Sequence, residues 1–333
     1  TLSQGKLELL SPKNLHYGGN FSKMVLPDTL DYTQTDYLAV SQAIAILESR
    51  ANQVADGATN KVKIKPEEPF FLAVGLVRPH VPLIAPESCF TPYPEENIEL
   101  PKVAGLDQVP ERALTRQNHK VWGMSEEQQK ETISAYLASV QFMDEQVGRL
   151  LNTLDQLDLR ENTIVVFVSD HGYNLGEHDC WSKVSLWEGS VRVPMIISAP
   201  GSRFRANYGT TSDATVELID LYPTLSELGG LASQQPKILQ GKSLVECLVD
   251  STYQFEESYA YTVSYGGSAA TITADDWRYT RWGDTPDGKN EELYHHETDP
   301  EELENLANDP DSRDRLIQMR SQLEEAKRLA QTE

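Results

Sequence analysis

Residues 163–194 read TIVVFVSDHGYNLGEHDCWSKVSLWEGSVRVP, and the fold is decided by how that stretch is parsed. Thr163 to Val168 is a β-branched and aromatic run of the length and composition of a buried strand. It stops abruptly in Ser169-Asp170-His171-Gly172. A strand that releases a carboxylate and an imidazole at its carboxyl end places them where open α/β sheets hold ligands. Gly172 and Gly176 permit the turn that follows, and His178, Lys183 and Arg192 come behind it. The plainer alternative is that Asp170 caps the next helix and His171 is a satisfied turn histidine.

Working outward, the amino-terminal side of this strand is a helix. Ser125-Glu126-Glu127-Gln128 has the capping-box pattern, and Ile133, Leu137, Val140, Val147, Leu151 and Leu154 recur at helical spacing. Residues 135–157 are therefore expected to lie against the sheet, with a short turn leading into the strand as half of a parallel crossover. Asp144 falls on the same stripe and is read as structural. Further back, 35–51 suits a helix, a Gly- and Lys-containing loop follows, and Phe70 to Val74 reads as a strand. Its exit is Arg78-Pro79-His80-Val81-Pro82, where two prolines hold the backbone extended around a histidine. His80 either packs in that loop or serves as a second base at a strand end. Residues 1–31 show no clear period.

Past Pro194, residues 195–198 form another apolar strand and 215–228 a helix that Pro223 kinks or divides. From Ser258 the pattern changes to short strands at 259–264, 269–273, 277–282 and 292–294, expected to form a small antiparallel sheet. A polar helix at 313–330 closes the chain. The aromatic stretch Trp277 to Trp282 is read as sheet core, and the acidic run Glu291 to Glu304 as a solvated face.

Composition bounds the function. The chain has 333 residues, 39% of them hydrophobic, which is enough for one large α/β core or two smaller ones. A net charge of -22 excludes nucleic acid as the expected partner, because phosphate neutralisation needs a basic surface. No run approaches the roughly 18 apolar residues of a membrane span. Cys89, Cys180 and Cys247 show neither C-x-x-C spacing nor a disulfide framework.

The motifs S-D-H-G, L-G-E-H, W-S-K and W-E-G-S-V-R-V-P-M-I-I, with R-P-H-V-P before them, resemble the sulfatase family. W-R-Y-T-R-W and E-L-Y-H-H-E-T-D-P-E-E-L-E-N-L resemble its C-terminal subdomain. The resemblance runs from about Leu26 to about Leu306 and is closest to the iduronate-2-sulfatase-like and related polysaccharide-sulfatase branch. It implies an α/β fold of the alkaline phosphatase-like kind, a mostly parallel sheet sandwiched by helices, with a small C-terminal antiparallel α+β subdomain. The implied division is residues 1–250 for the later part of the catalytic domain and 251–333 for that subdomain.

The resemblance also implies roles. Asp170 and His171 are ligands of one divalent cation, Lys183 bridges sulfate and nucleophile, His80 assists the departing oxygen, and Arg78 and His178 shape the substrate pocket. Calcium is implied, although an imidazole ligand would suit a softer ion. The family's nucleophile is a formylglycine made from the Cys or Ser of C/S-x-P-x-R, and no such motif occurs here: Cys89 is followed by Phe90-Thr91-Pro92-Tyr93. The expectation is that the chain is the later portion of a longer protein, its missing N-terminal portion a partner, and inactive alone. The expected substrate is a sulfated carbohydrate, and the expected location exported. Two alternatives stand beside it: a phosphatase or phosphonate monoester hydrolase of the same superfamily, and a non-catalytic protein that binds anionic sugars.

Overall fold

A computed structural model describes residues 6–11, 21–51, 69–114, 118–256 and 258–331. The chain forms two compact units, one of Thr1–Pro101 with Gln117–Asn162, the other of Lys102–Arg116 with Thr163–Glu333. Residues 251–333 share a unit with 163–250. The expected loop at 52–68 lies outside the described residues.

In the first unit, β1 (Glu8–Leu9), β2 (Ser22–Leu26) and β3 (Leu83–Pro86) form one sheet in that order. β2 and β3 run parallel, Lys23 opposite Leu83 and Leu26 opposite Pro86, while β1 is antiparallel to β2. Neither β2 nor β3 is anticipated by sequence, because Pro82 precedes β3, Pro86 is its last residue, and β2 opens with Ser-Lys. Burial decides instead: all four residues of β3 are buried. The helices are α1 (Thr35–Ala51), α2 (Glu87–Phe90), α3 (His119–Trp122) and α4 (Glu126–Gln156).

The capping box of α4 is present, with Gln128 N–H donating to Ser125 Oγ and Ser125 N–H to Gln128 Oε1. Of the expected stripe, Ile133 and Leu154 are buried, while Leu137, Val140, Val147 and Leu151 are only partly so. The buried face is completed by Ala135, Ala138, Ser139, Phe142 and Gln146, and Asp144 points to solvent. Short side chains let the helix axis approach closely, and Ala138 and Phe142 pack with Ala85 and Cys89. Across α1 and α4, Arg149 lies 3.8 Å over the Tyr37 ring and donates to Ser41 Oγ at 2.9 Å.

Residues 70–74 pair with no strand among the described residues. Accessibility nevertheless alternates from Pro69 to Val77, and Phe71 is 85% exposed.

The second unit begins with β4 (Val165–Val168), then β5 (Asn174–Leu175), β6 (Trp181–Ser182), α5 (Glu188–Val191) and β7 (Met195–Ser198). β4 pairs antiparallel with β7, Val165 opposite Ser198 and Val168 opposite Met195. A parallel return would need a crossover helix between them, and α5 is a single turn of four residues. Further on come α6 (Leu221–Leu228) and α7 (Val245–Val249). Pro223 falls in the first turn of α6, where a missing N–H costs nothing, so the expected longer helix starts late.

The carboxyl-terminal layer follows expectation. β8 (Ala260–Ser264), β9 (Ala269–Ala274), β10 (Trp277–Trp282) and β11 (Glu291–His295) form an antiparallel sheet in the order β11-β10-β9-β8. α8 (Arg313–Ala330) covers it with Leu316, Met319, Leu323 and Ala326, whose three- and four-residue spacing puts them on Ile272, Tyr279 and Leu293. Tyr279 and Trp282 are core, as the sequence suggests.

The acidic run does not form a solvated face throughout: Glu291, Glu292 and Glu302 are buried. Each has a partner that offsets the cost of burial. Glu291 takes both Arg320 Nε (2.7 Å) and Nη2 (2.6 Å), Glu292 takes Trp282 Nε1 and the Tyr294 hydroxyl, and Glu302 takes Arg278. Charge count alone cannot reveal these pairings.

Candidate catalytic site

The six residues singled out by sequence fall in both units. Arg78 and His80 belong to the first, and Asp170, His171, His178 and Lys183 to the second.

β4 ends at Val168, and the next two residues leave the ladder. Asp170 is exposed, and its Oδ1 accepts the His171 N–H at 3.0 Å. Its Oδ2 lies 3.8 Å from His171 Nε2. His171 Nδ1 is 2.7 Å from the Gly172 carbonyl, which can only accept, so Nδ1 carries a proton and Nε2 is the nitrogen left for a ligand. A metal-binding histidine is commonly oriented in this way, by a backbone carbonyl on its other nitrogen. One hard oxygen and one imidazole nitrogen therefore face the same point, and this donor pair fits a divalent cation. Neither residue caps a helix, so the plainer alternative for Asp170 does not hold.

The turn is locked from beneath. Gly172 N–H donates to the Ser190 carbonyl at 2.9 Å, and a Cβ on Gly172 would stand 2.1 Å from the Gly189 carbonyl oxygen. The buried Asn174 side chain donates to Ser190 Oγ (2.6 Å) and Ser185 Oγ (3.1 Å). Sequence reading missed Asn174 and Ser190. Their spacing from S-D-H-G and their place in W-E-G-S were the available signals.

The hairpin of β5 and β6, Asn174 opposite Ser182, leads to Lys183, which is half-buried. Its neighbours Ser182 (φ 81°) and Val184 (φ 69°) both occupy the left-handed region. For a β-branched residue this conformation is strained, and such strain gathers where a side chain must be aimed. Lys183 is thereby presented by a backbone the surrounding packing holds in place.

His178 is the residue expected, with Arg78, to shape the substrate pocket. It is 8% exposed and stacks on Trp187 with ring centroids 3.7 Å apart and planes at 6°. Burial drives its pKa down to about 4, with Arg278 adding to the fall and Glu302 and Asp299 opposing it. The ring is neutral at physiological pH, and its Nδ1 is buried without a hydrogen-bond partner.

Beneath Trp187 lies a buried ionic group. Arg278, wholly buried, pairs with Glu302 and donates to the Leu186 carbonyl and to Thr280 Oγ1. Its guanidinium carbon is 5.6 Å from the Trp187 ring and 5.1 Å from that of Tyr294. Glu302 also accepts the Glu188 N–H at 3.1 Å and bonds His296 Nε2 at 2.8 Å. Burial raises the Glu302 carboxyl, but Arg278, His296 and Glu188 outweigh it and hold it at about 2. Glu188, His296 and Glu302 bring ligand atoms within 4.8 Å of one another. With Arg278 already neutralising Glu302, this cluster suits a structural clamp and not a cation.

In the first unit the loop around His80 is equally built. Val77 and Arg78 N–H donate to the two carboxylate oxygens of Asp36 at 2.8 and 2.9 Å. Arg78 Nη1 donates to the carbonyls of His80 (2.7 Å) and Pro82 (2.9 Å), so that donor braces its own loop instead of being free for substrate. Burial lowers the Arg78 pKa, and Asp36 counters it. His80 is exposed, and its Nδ1 is 2.7 Å from the Val81 carbonyl, leaving Nε2 outward.

The comparisons with known proteins follow from these motifs. The sulfatase family profile matches residues 12–231, and that of the N-sulphoglucosamine sulphohydrolase C-terminal region matches 176–329. A sulfatase of Formosa agariphila is 33% identical over 83% of this chain and 53% of its own length. The iduronate 2-sulfatase of Homo sapiens is 33% identical over 61% of this chain and 41% of its own. Among solved structures, the phosphonate monoester hydrolase of Silicibacter pomeroyi superposes with a TM-score of 0.71 at 20% identity, covering 96% of this chain and 64% of its own. A structure in complex with its substrate D-glucosamine-2-N,6-O-disulfate gives 0.64 at 20% identity, covering 98% and 76%. The chain spans about half the length of the curated relatives it matches.

Proposed function

The chain belongs to the sulfatase family, within the alkaline phosphatase-like superfamily, and on that premise we propose that it carries part of a site that hydrolyses sulfate esters of carbohydrate. The observation that carries the reading is the pair of Asp170 Oδ2 and half-buried His171 Nε2, 3.8 Å apart, with an imidazole proton held on the other nitrogen. Asp170 and His171 would hold one divalent cation, calcium by family. When bound, the ion would neutralise charge on the sulfate oxygens.

The chain's own residues supply charge stabilisation and proton transfer. Lys183 donates from Nζ to a sulfate oxygen, adding positive charge where the transition state gathers negative charge. His80 Nε2 takes up a proton and delivers it to the departing ester oxygen. Arg78 and His178 act from behind, one bracing the His80 loop and the other packing on Trp187. The family's formylglycine nucleophile has no matching motif in these 333 residues, and we assign it to a segment outside them. Exposed apolar side chains support cover by further chain: Ile196 of β7 is 61% exposed and Val168 of β4 39%, and a lone two-stranded ladder is marginal in water.

A sulfated sugar as substrate is supported by the names of relatives and neighbours, iduronate 2-sulfatase and the glucosamine disulfate complex among them. Export is part of the same proposal, since polysaccharide is met outside the cell. None of the described helices is long and apolar enough to cross a membrane.

The test is to assay the chain, beside any longer reading frame that contains it, on an aryl sulfate and an aryl phosphate with and without calcium. Sulfate release that requires calcium and is lost in Lys183→Ala and Asp170→Asn supports the proposal. The likeness to the phosphonate monoester hydrolase favours one competitor, and faster phosphate or phosphonate ester cleavage would establish it. Binding of sulfated sugar without turnover in every form would leave the non-catalytic binder.

A further inference from the structure

Asp36 is the second residue of α1, 1% exposed. A carboxylate there ordinarily interacts with the amino-terminal amides of its own helix. This one instead spends both oxygens on consecutive backbone N–H groups of Val77 and Arg78, more than forty residues away in sequence. Two charge-assisted bonds to adjacent amides fix a peptide plane, not just a position. That plane carries the Arg78 side chain, whose Nη1 bridges the carbonyls of His80 and Pro82. The His80 N–H closes the turn on the Val77 carbonyl at 2.9 Å, and its ring is held by the Val81 carbonyl. The links run without a gap from a buried carboxylate to an exposed imidazole.

We propose that Asp36 is a positioning residue for His80: through the 77–78 peptide and the Arg78 guanidinium it holds the imidazole as the Nδ1–H tautomer and aims Nε2 outward. This rests on the reading of His80 as the proton donor to the leaving oxygen, but its first readout does not depend on it. An exposed histidine on an unbraced loop would exchange tautomers and orientation freely. A reacting group displaced by about 1 Å can lose on the order of 100-fold in rate.

The tautomer is read by long-range 1H–15N correlation of the His80 ring in the full chain. His119, in the same unit, serves as the internal reference, and Ser41→Ala, on the same helix, as the control. The unchanged protein and Ser41→Ala should show the Nδ1–H form. Asp36→Asn, which turns an acceptor into a donor against one of the two amides, should move His80 toward the free-imidazole mixture and leave His119 in place. Arg78→Met, which fills similar space but removes the Nη1 donor that bridges the two carbonyls, should do the same and gives the answer if Asp36 variants do not fold. In a form that turns over, Asp36→Asn should lower kcat about 10- to 100-fold with KM nearly unchanged. A His80 ring unaltered in folded Asp36→Asn and Arg78→Met overturns the proposal. A shifted tautomer with undiminished kcat keeps the positioning and removes His80 from the proposed chemistry.

Discussion

Replacing Glu302 by Gln keeps the shape of the side chain and its bond from the Glu188 N–H, but strands the Arg278 charge in the core. The magnitude follows from the structure. The Glu302 carboxyl is held at about 2 against an ordinary 4.5. Roughly 2.5 pKa units at about 1.4 kcal/mol each give about 3 kcal/mol of native-state preference for the ionised form. Because the folded pKa is depressed, that contribution is fully present above pH 4.5 and is lost as pH falls toward 2. Leaving a buried partner charge uncompensated costs about 3–5 kcal/mol, and Glu302→Gln should lose that amount in urea denaturation at pH 7. Trp187 fluorescence is a suitable probe, since its ring lies 5.6 Å from the Arg278 guanidinium carbon. The deficit relative to the unchanged protein should shrink between pH 4.5 and 2. Arg278→Met combined with Glu302→Gln should recover about 2 kcal/mol or more against the sum of the single changes, because the stranded charge is gone. A single variant that loses under about 1 kcal/mol, or a strictly additive double variant, would refute the clamp. Through Arg278 the same clamp holds the Leu186 carbonyl, so Glu302→Gln should also loosen the segment just after Lys183.

His178 predicts a second acid window: burial holds its pKa at about 4, so below pH 6.5 the unfolded chain gains a proton that the folded chain refuses. Stability should drop by about 3 kcal/mol between pH 6.5 and 4, and His178→Asn, which tolerates φ 55°, should remove that slope from the denaturation profile. Gly172→Ala should cost about 1–3 kcal/mol or displace α5, since its Cβ would meet the Gly189 carbonyl at 2.1 Å. An unchanged melting temperature with unchanged calcium affinity would show that the turn is less tightly seated than described. Val184→Gly should raise stability by about 1 kcal/mol in the same assay, by releasing a β-branched residue from φ 69°. A loss instead would mean that the Val184 side chain contributes more than its backbone costs.

Much of the local structure was legible. The capping box at Ser125, the helices at 35–51 and 313–330, and the four carboxyl-terminal strands follow from period and turn chemistry. The Asp170–His171 pair was legible too, because a strand that ends in polar residues points to itself. What the sequence hid was pairing between distant residues. β2 and β3 carry weak strand signals, and only their mutual burial makes them a parallel ladder. The 163–168 and 195–198 runs were legible as strands, but not their antiparallel direction.

The chain's residues by themselves determined the elements, the family and the chemical groups available for a site: a carboxylate and imidazole after β4, a lysine after the β5–β6 hairpin, a histidine between prolines. Tertiary structure alone decided how those groups are held. Asp36 grips the loop of His80, Asn174 underpins the turn of His171, and Arg278 with Glu302 fastens the segment beyond Lys183. The physical reason is that periodicity and turn propensity act over a few residues. A buried polar group, by contrast, must find its partner wherever the fold brings one, and no local pattern records which distant residue that will be.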